Sequence, residues 1–416
     1  MSFRKAGQQQ QPKLPQGTKY NANNSVLLVS TGISSLDEVL GGGVAVGTVV
    51  LVLEDRLTGY SKTVQSLFEA QSICSLQNLV VVRHALENKS VLAATLPGIY
   101  KPSSADKPSN TKNTAADQNM KIAWRYNKLG SFGDNNKHDP KEKQKEAIID
   151  QTADQKNELN GVKREAEFNT VFDLTKSMDI GLVNSSDIEC IDLQEVAKQC
   201  KDTKSTYASV FERISLSIEE GGYSSLQVAG KREVARVSIH NIGSPLWDVD
   251  CEESNGRDKE LLNFFHSLRG LMRYSFGVCM VSLSPSLFTN HLTMGRLAIL
   301  RKIEQLCDSV IELESFEGKH PVNNKLLSGI LSTQRSSQEP PSEYHGMFYI
   351  NKRPTINSLV PTFSAMILSG HGNLAFKLKR KKFSIETFHL PIEGGTKDRQ
   401  IPQDSTTRPS KDSLEF

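Results

Sequence analysis

Residues 30–63 read STGISSLDEVLGGGVAVGTVVLVLEDRLTGYSKT. Ser34 and Ser35, ahead of Leu36, Val39 and Leu40, signal a helix start, and that helix runs into Gly41-Gly42-Gly43. The β-branched run over 48–53 predicts a strand, with a turn and a second helix after it. Strand, loop and helix in that order are the context in which a phosphate-binding loop, G-x-x-x-x-G-K-[ST], carries weight. The loop here is Glu54-Asp55-Arg56-Leu57-Thr58-Gly59-Tyr60-Ser61, in which only Gly59 and Ser61 stand at the required spacing. An acid replaces the first glycine and Tyr60 replaces the lysine.

A working loop lets backbone N–H groups curl around phosphate at a helix N-terminus, with lysine as counter-charge. Glu54 and Asp55 repel phosphate, and Tyr60 brings no cation. A shifted register puts Lys62-Thr63 in the lysine–hydroxyl place, but then Arg56 and Ser61 stand where glycines belong. The stretch therefore reads as a degenerate phosphate-binding loop on a retained scaffold. Gly59, Tyr60, Ser61 and Lys62 are the residues any residual nucleotide contact would use.

A chain of 416 residues with 37% hydrophobic content can bury a sizeable core. Its net charge is +3, from 50 basic and 47 acidic residues, so any affinity for polyanions has to come from a local patch. The six cysteines (Cys74, Cys190, Cys200, Cys251, Cys279 and Cys307) include no C-x-x-C pair, which argues against zinc and against a disulfide framework. The opening MSFRKAGQQQQPKLPQG has no apolar core of a signal peptide, and no apolar run approaches membrane-spanning length. These features predict a soluble intracellular protein with no membrane contact.

The predicted organisation is a disordered arm over 1–23, one α/β domain over 24–391, and a polar tail over 392–416. Polar insertions at 101–120 and 131–167 interrupt the domain, with an aromatic island, KIAWRY, at 121–126 between them, and 317–343 reads as a loop. Strands are expected at 26–29 and 79–82, and order resumes at 168–175. Further strands are expected at 236–241, 278–283 and 308–313. Leu261, Phe264, Phe265, Leu268 and Met272 place an amphipathic helix between two of these, and 294–307 gives another. Three strand-like runs without helices close the domain: 347–350, 355–359 and 374–388. An α/β alternation with an antiparallel extension predicts a mainly parallel sheet flanked by helices, and resembles the RecA-type architecture.

An ATPase of that type needs a carboxylate at a central strand end to hold magnesium. The candidate strand ends in His240-Asn241, and Asp248 and Asp250 lie beyond Pro245, where they read as loop acids. Ser238 or Ser244 beside His240 could suggest a nucleophile and base, but no carboxylate stands at telling spacing. The nine histidines show no metal-ligand spacing. The basic run Lys377-Leu378-Lys379-Arg380-Lys381-Lys382 has two readings. Lys377, Lys379, Arg380, Lys381 and Lys382 contact RNA or a partner, or Lys377 and Lys379 form the solvated face of a strand whose other face is buried, with Arg380 to Lys382 in a turn. The 124–126 triplet, Trp-Arg-Tyr, could stack a base or anchor a strand.

Several segments occur in an order that resembles the PAXNEB family, that of Elongator complex protein four. They are GISSLDEVLGGG (32–43), VGT (46–48), KIAWRY (121–126), FDLTK (172–176), NIGSPLW (241–247), LRGLM (268–272), LESF (313–316), YHG (344–346), LAFKLKRK (374–381) and the closing SLEF (413–416). The resemblance implies a RecA-like fold without an intact nucleotide loop, in a hetero-hexameric ring with Elongator subunits five and six. It further implies that the ring binds tRNA and docks on the catalytic subcomplex of subunits one to three, which makes the 5-carboxymethyl-type modification of wobble uridine in cytoplasm and nucleus. This chain would then be non-catalytic and bind no cofactor alone, ATP being left to ring interfaces. The alternative is an active recombinase-type ATPase acting on DNA through the Lys62-Thr63 register.

Overall fold

The structure is a computed structural model that describes residues 14–21, 25–54, 58–101, 166–199, 205–225, 233–247, 254–287, 298–316, 344–357 and 373–388. Of the insertions expected at 101–120 and 131–167 only residues 101, 166 and 167 are described; the aromatic island, Asp248 and Asp250, the loop at 317–343 and the tail at 392–416 lie outside the described residues.

In chain order the first elements are β1 (Thr18–Asn21), β2 (Val26–Val29), α1 (Ser34–Val39), β3 (Val44–Ala45), β4 (Thr48–Glu54), α2 (Tyr60–Cys74), β5 (Asn78–Arg83), α3 (Lys89–Thr95) and β6 (Pro97–Ile99). Then come β7 (Phe172–Ser177), α4 (Ile180–Asn184), β8 (Ile188–Asp192), α5 (Leu193–Gln199), α6 (Thr206–Glu220), β9 (Ala235–Ile242) and α7 (Ser254–Arg273). The last are β10 (Gly277–Leu283), α8 (Ala298–Leu306), β11 (Ser309–Ser315), β12 (Gly346–Lys352), β13 (Leu374–Leu378) and β14 (Phe383–Thr387).

A nine-stranded mixed sheet in the order β14-β13-β12-β11-β4-β10-β9-β5-β8 organises the molecule. From β11 to β8 the neighbours are parallel, while β12, β13 and β14 join antiparallel. Parallel strands are covered on both faces, so their sequences read as continuous apolar runs, and every residue of β4 and β10 is buried. The period-two pleat sorts these residues into two cores. Val50 and Val52 pack with Leu36, Val64, Phe68 and Leu92 of α1 to α3 on one face. Val49, Leu51 and Leu53 pack with Val196, Ile214, Phe265 and Ile303 of α5 to α8 on the other.

The strand and the second helix of the opening stretch form as the sequence predicts, as β4 and α2, while residues 55–57 between them lie outside the described residues. Helix α1 starts at Ser34, but its cap residue is Ile33 and accepts no side-chain bond there. The Ser35 hydroxyl instead takes the Ile385 N–H of β14 at 2.9 Å. Gly43 (φ 135°) runs so close to β2 that a Cβ there would lie 2.5 Å from the Val29 carbonyl oxygen, which excludes any side chain.

Three expectations need correction. Thr18–Asn21, inside the stretch expected to be a disordered arm, is ordered as β1 and pairs antiparallel with β2. Residues 355–357 of the expected strand 355–359 are not strand, and the remainder lies outside the described residues. The run 374–388 is a hairpin of two strands, not one. The segment before β9 also holds β8 and α4 to α6, for which the sequence reading made no assignment. The spacing of Tyr207, Val210, Ile214 and Ile218, all buried on one side of α6, was the available signal.

Candidate functional site

The carboxyl ends of the parallel strands open into a cavity of about 1340 Å³. Open α/β sheets bind ligands at this end, where loops leave neighbouring strands. The first turn of α2 forms part of its wall through Gly59, Ser61, Lys62 and Thr63.

The donors at the first turn of α2 are taken up by the protein itself. Glu54, the last residue of β4, is buried and its carboxylate caps α2. It accepts from Thr58 Oγ1 at 3.1 Å, from Ser61 Oγ, and from the backbone amides of Tyr60 and Ser61. Burial pushes this carboxyl above its ordinary value, and the donors of Ser61, Thr58 and Tyr60 pull it back. An acid that reads as repulsive to phosphate in sequence therefore acts as an internal anion at a helix N-terminus.

Of the four loop residues singled out by sequence, Ser61 thus serves Glu54. Gly59 precedes α2 with φ −131°, and a Cβ there would meet nothing within 4 Å, so no close approach requires glycine. Lys62 is exposed as the third residue of the helix and lines the cavity. Tyr60 turns away to the antiparallel extension. Its ring lies edge-on to Phe376 at 4.7 Å and to His345 at 6.4 Å. His345 fixes the same strand, since its N–H donates to the Phe376 carbonyl at 3.0 Å and its Nδ1 accepts from the Leu378 N–H at 3.2 Å.

The basic run divides in two. Lys377 is buried, with its ammonium 5.7 Å from the Tyr344 ring centre, which corrects the expectation of a solvated strand face. Ala375 on the same side of β13 is buried too, so this face of the strand is covered. Lys379, Arg380, Lys381 and Lys382 are exposed at the hairpin tip, closed by the Lys379 N–H to Lys382 carbonyl bond at 2.9 Å. The Lys381 carbonyl accepts from the Leu174 N–H at 3.0 Å, tying the tip to β7. Lys379 and Arg380 line the cavity. Beside them, Asp173 accepts from the Thr175 amide and hydroxyl, and with the Lys381 and Lys176 charges nearby its carboxyl is held below the ordinary value.

Beneath the cavity, β9 turns three polar residues towards α2. Arg236, Ser238 and His240 alternate with Val237 and Ile239, which face the other core. The Arg236 guanidinium is fully enclosed, donating to Gln77 Oε1 at 2.7 Å and to the carbonyls of Ser30 (2.7 Å) and Phe68 (3.2 Å). Burial pulls it down to about 9, against the opposing charge of Asp37. Glu69, wholly buried on α2, accepts from Ser238 Oγ at 2.6 Å and meets His240 Nε2 at 2.5 Å. A carboxylate does therefore stand beside His240, contrary to the sequence reading, but 171 positions away in the chain. The geometry is not that of a nucleophile relay. The carboxylate bridges serine and imidazole, and Ser238 is sealed from the cavity at 0% exposure. His240 alone of the three lines the cavity, while Ser244 stands in its wall. Among the described residues no cluster of metal-ligating side chains is present.

Fold and site together define a doubly covered α/β protein with a basic crevice over its strand ends and an anion-filled helix N-terminus. Residues 10–416 match the PAXNEB protein family, and the chain belongs to it. It is similar to "Elongator complex protein 4" of Danio rerio, at 32% identity over 387 residues covering 90% of this chain and 84% of that protein. The protein of the same name from Homo sapiens is 31% identical over 388 residues, covering 90% and 79%. That from Saccharomyces cerevisiae is 25% identical over 414 residues, covering 91% and 76%.

Proposed function

We propose that this chain is a non-catalytic subunit of the Elongator complex. In this reading it is a RecA-like member of a hetero-hexameric ring with subunits five and six, which binds tRNA and docks on subunits one to three. The ring supports 5-carboxymethyl-type modification of wobble uridine, in cytoplasm and nucleus, and any ATP lies at ring interfaces. The observation that carries the reading is the Glu54 carboxylate on the first turn of α2. Phosphate oxygens would need those same donors, so the chain keeps the scaffold of a nucleotide site without its vacancy. The exposed tip Lys379–Lys382 offers a cationic contact for RNA, supported by its place at the mouth of the crevice.

Co-expression with subunits five and six, followed by mass measurement and tRNA titration, tests this. A six-membered assembly that binds tRNA is expected, with weaker binding and a smaller salt slope for Lys379→Glu combined with Lys381→Glu. A monodisperse monomer indifferent to those partners would overturn it. ATP turnover by the lone chain, abolished by Lys62→Ala and not by Tyr60→Ala, would establish a recombinase-type ATPase instead.

A further inference from the structure

We propose that the crevice over the strand ends is a seat for the backbone of single-stranded RNA, with a cation rim that extends well beyond the hairpin tip. The proposal rests on the RNA-binding reading above and says where on this chain the RNA lies and in what form. Five cations line the cavity from four separate segments: Lys62 on α2, Arg83 at the end of β5, Lys176 on β7, and Lys379 with Arg380 on the hairpin. Among the described lining residues the acid is Glu54, which is buried and already bonded to α2. The whole chain carries only +3, so these five cations are a local concentration of charge among the described lining residues.

The arrangement selects the ligand. The cavity of about 1340 Å³ exceeds the roughly 300–1,000 Å³ of small-molecule sites. Its cations come from different elements, which suits repeating phosphates along a strand better than one compact phosphate cluster. Hydroxyls of Ser66, Ser177 and Ser244 also line it and can donate to phosphate oxygens or ribose. The walls rise from both faces of the sheet, residues 94–97 and 174–177 on the α3 side and 244–247 on the α7 side. A flexible single strand can follow a crevice walled on two sides and turn its phosphates to cations on both, whereas the phosphates of a duplex are fixed on the outside of a stiff cylinder. The tip is held in place to complete the rim, by Tyr60 against Phe376 and by Leu174 against Lys381.

The test uses the full chain assembled with its ring partners and a labelled single-stranded RNA of about 12 nucleotides, within the roughly 4–16 nucleotides typical of such grooves. A duplex of the same length serves as comparator. Single-strand preference is expected, and the combined variant Lys62→Gln, Arg83→Gln, Lys176→Gln should flatten the log–log salt slope by about 2, at about 0.7 per lost contact. At 0.15 M salt that corresponds to a loss of affinity on the order of 50-fold. Unchanged assembly mass and melting temperature of the variant make the loss one of binding and not of folding. Intact tRNA binding with an unaltered slope, or equal affinity for the duplex, overturns the crevice as the seat and leaves the ring reading standing. Failure of the parent assembly to bind any RNA overturns that reading itself. Displacement of the RNA probe by ATP at equal phosphate concentration would assign the crevice to free nucleotide and also refute the proposal.

Discussion

Glu54→Ala is the perturbation that most directly probes how the first turn of α2 is held. The change strips one acceptor from four donors: the hydroxyls of Thr58 and Ser61 and the amides of Tyr60 and Ser61. Loss of a helix cap costs about 0.5–2 kcal/mol, and a buried donor left unpaired costs about 1–3 kcal/mol. Against this, the variant no longer buries a carboxylate, whose raised protonation range reports a desolvation penalty. The balance is a net destabilisation of about 1–2 kcal/mol, which in a domain of this size lowers the melting temperature by about 2–8 °C. The vacated position is then an empty anion site. Inorganic phosphate at about 100 times its dissociation constant should restore about 2.7 kcal/mol to the variant and nothing comparable to the parent chain. Thermal melts of both chains across a phosphate titration decide the matter. Equal response of parent and variant to phosphate would refute the idea that Glu54 fills the anion position. The pH dependence has a definite sign. Because the folded carboxyl is raised above its ordinary 4.5, the Glu54 contribution is largest in acid and falls as pH rises through the folded value. Relative to the parent, Glu54→Gln should therefore gain stability as pH is raised from about 4 to about 7.

Tyr60→Ala should increase amide hydrogen exchange in 374–387 while leaving β4 and β10 protected, since the Phe376 and His345 contacts tie that hairpin to α2; Tyr60→Phe, which keeps the ring, should not. Tyr60→Lys restores the cation but not the vacancy, so ATP turnover should stay absent in the lone chain. Glu69→Gln unbalances the polar cluster under the crevice, and a loss of about 3 kcal/mol by denaturant titration is expected, as for a broken buried pair. Lys352→Met removes an ammonium that donates to the carbonyls of Gln305 (2.8 Å), Cys307 (2.6 Å) and Glu304 (3.2 Å) at the end of α8. It should cost about 1 kcal/mol, with exchange rising first in α8.

The parts of the fold that were legible in the sequence are those whose burial is dictated locally. The runs in β4 and β10 are apolar on both faces, and the spacing of Leu261 to Met272 in α7 needs no tertiary knowledge. Thr18–Asn21 carries almost no hydrophobic signal, because β1 is an edge strand ordered by hydrogen bonds to β2. Lys377 alternates like a solvated residue, yet β14 and Tyr344 enclose it. The meeting of Glu69 with His240 depends on α2 crossing β9, which no spacing rule contains. The sequence reads 54–61 as a degenerate phosphate-binding loop from its residue types alone, and no spacing there shows what Glu54 bonds to. Only the packed chain turns Glu54 from a repelling acid into the cap of α2.

The position of β4 in the sheet also governs how the chain comes into being. Its two neighbours, β10 and β11, begin at residues 277 and 309, so the centre of the sheet is assembled from the two ends of the polypeptide. At a synthesis rate of roughly 5–20 residues per second, about 13–50 s pass between the emergence of β4 and that of the strand that closes its far side. Until β10 emerges, for about 11–46 s of that interval, Val49 to Leu53, all eventually at 1% exposure or less, has no partner in the nascent chain on either edge, and until β11 follows it has a partner on one edge alone. A strand buried along its whole length in the finished protein is thus an exposed, unpaired apolar segment for much of its biosynthesis, the kind of surface that makes a nascent chain prone to aggregate.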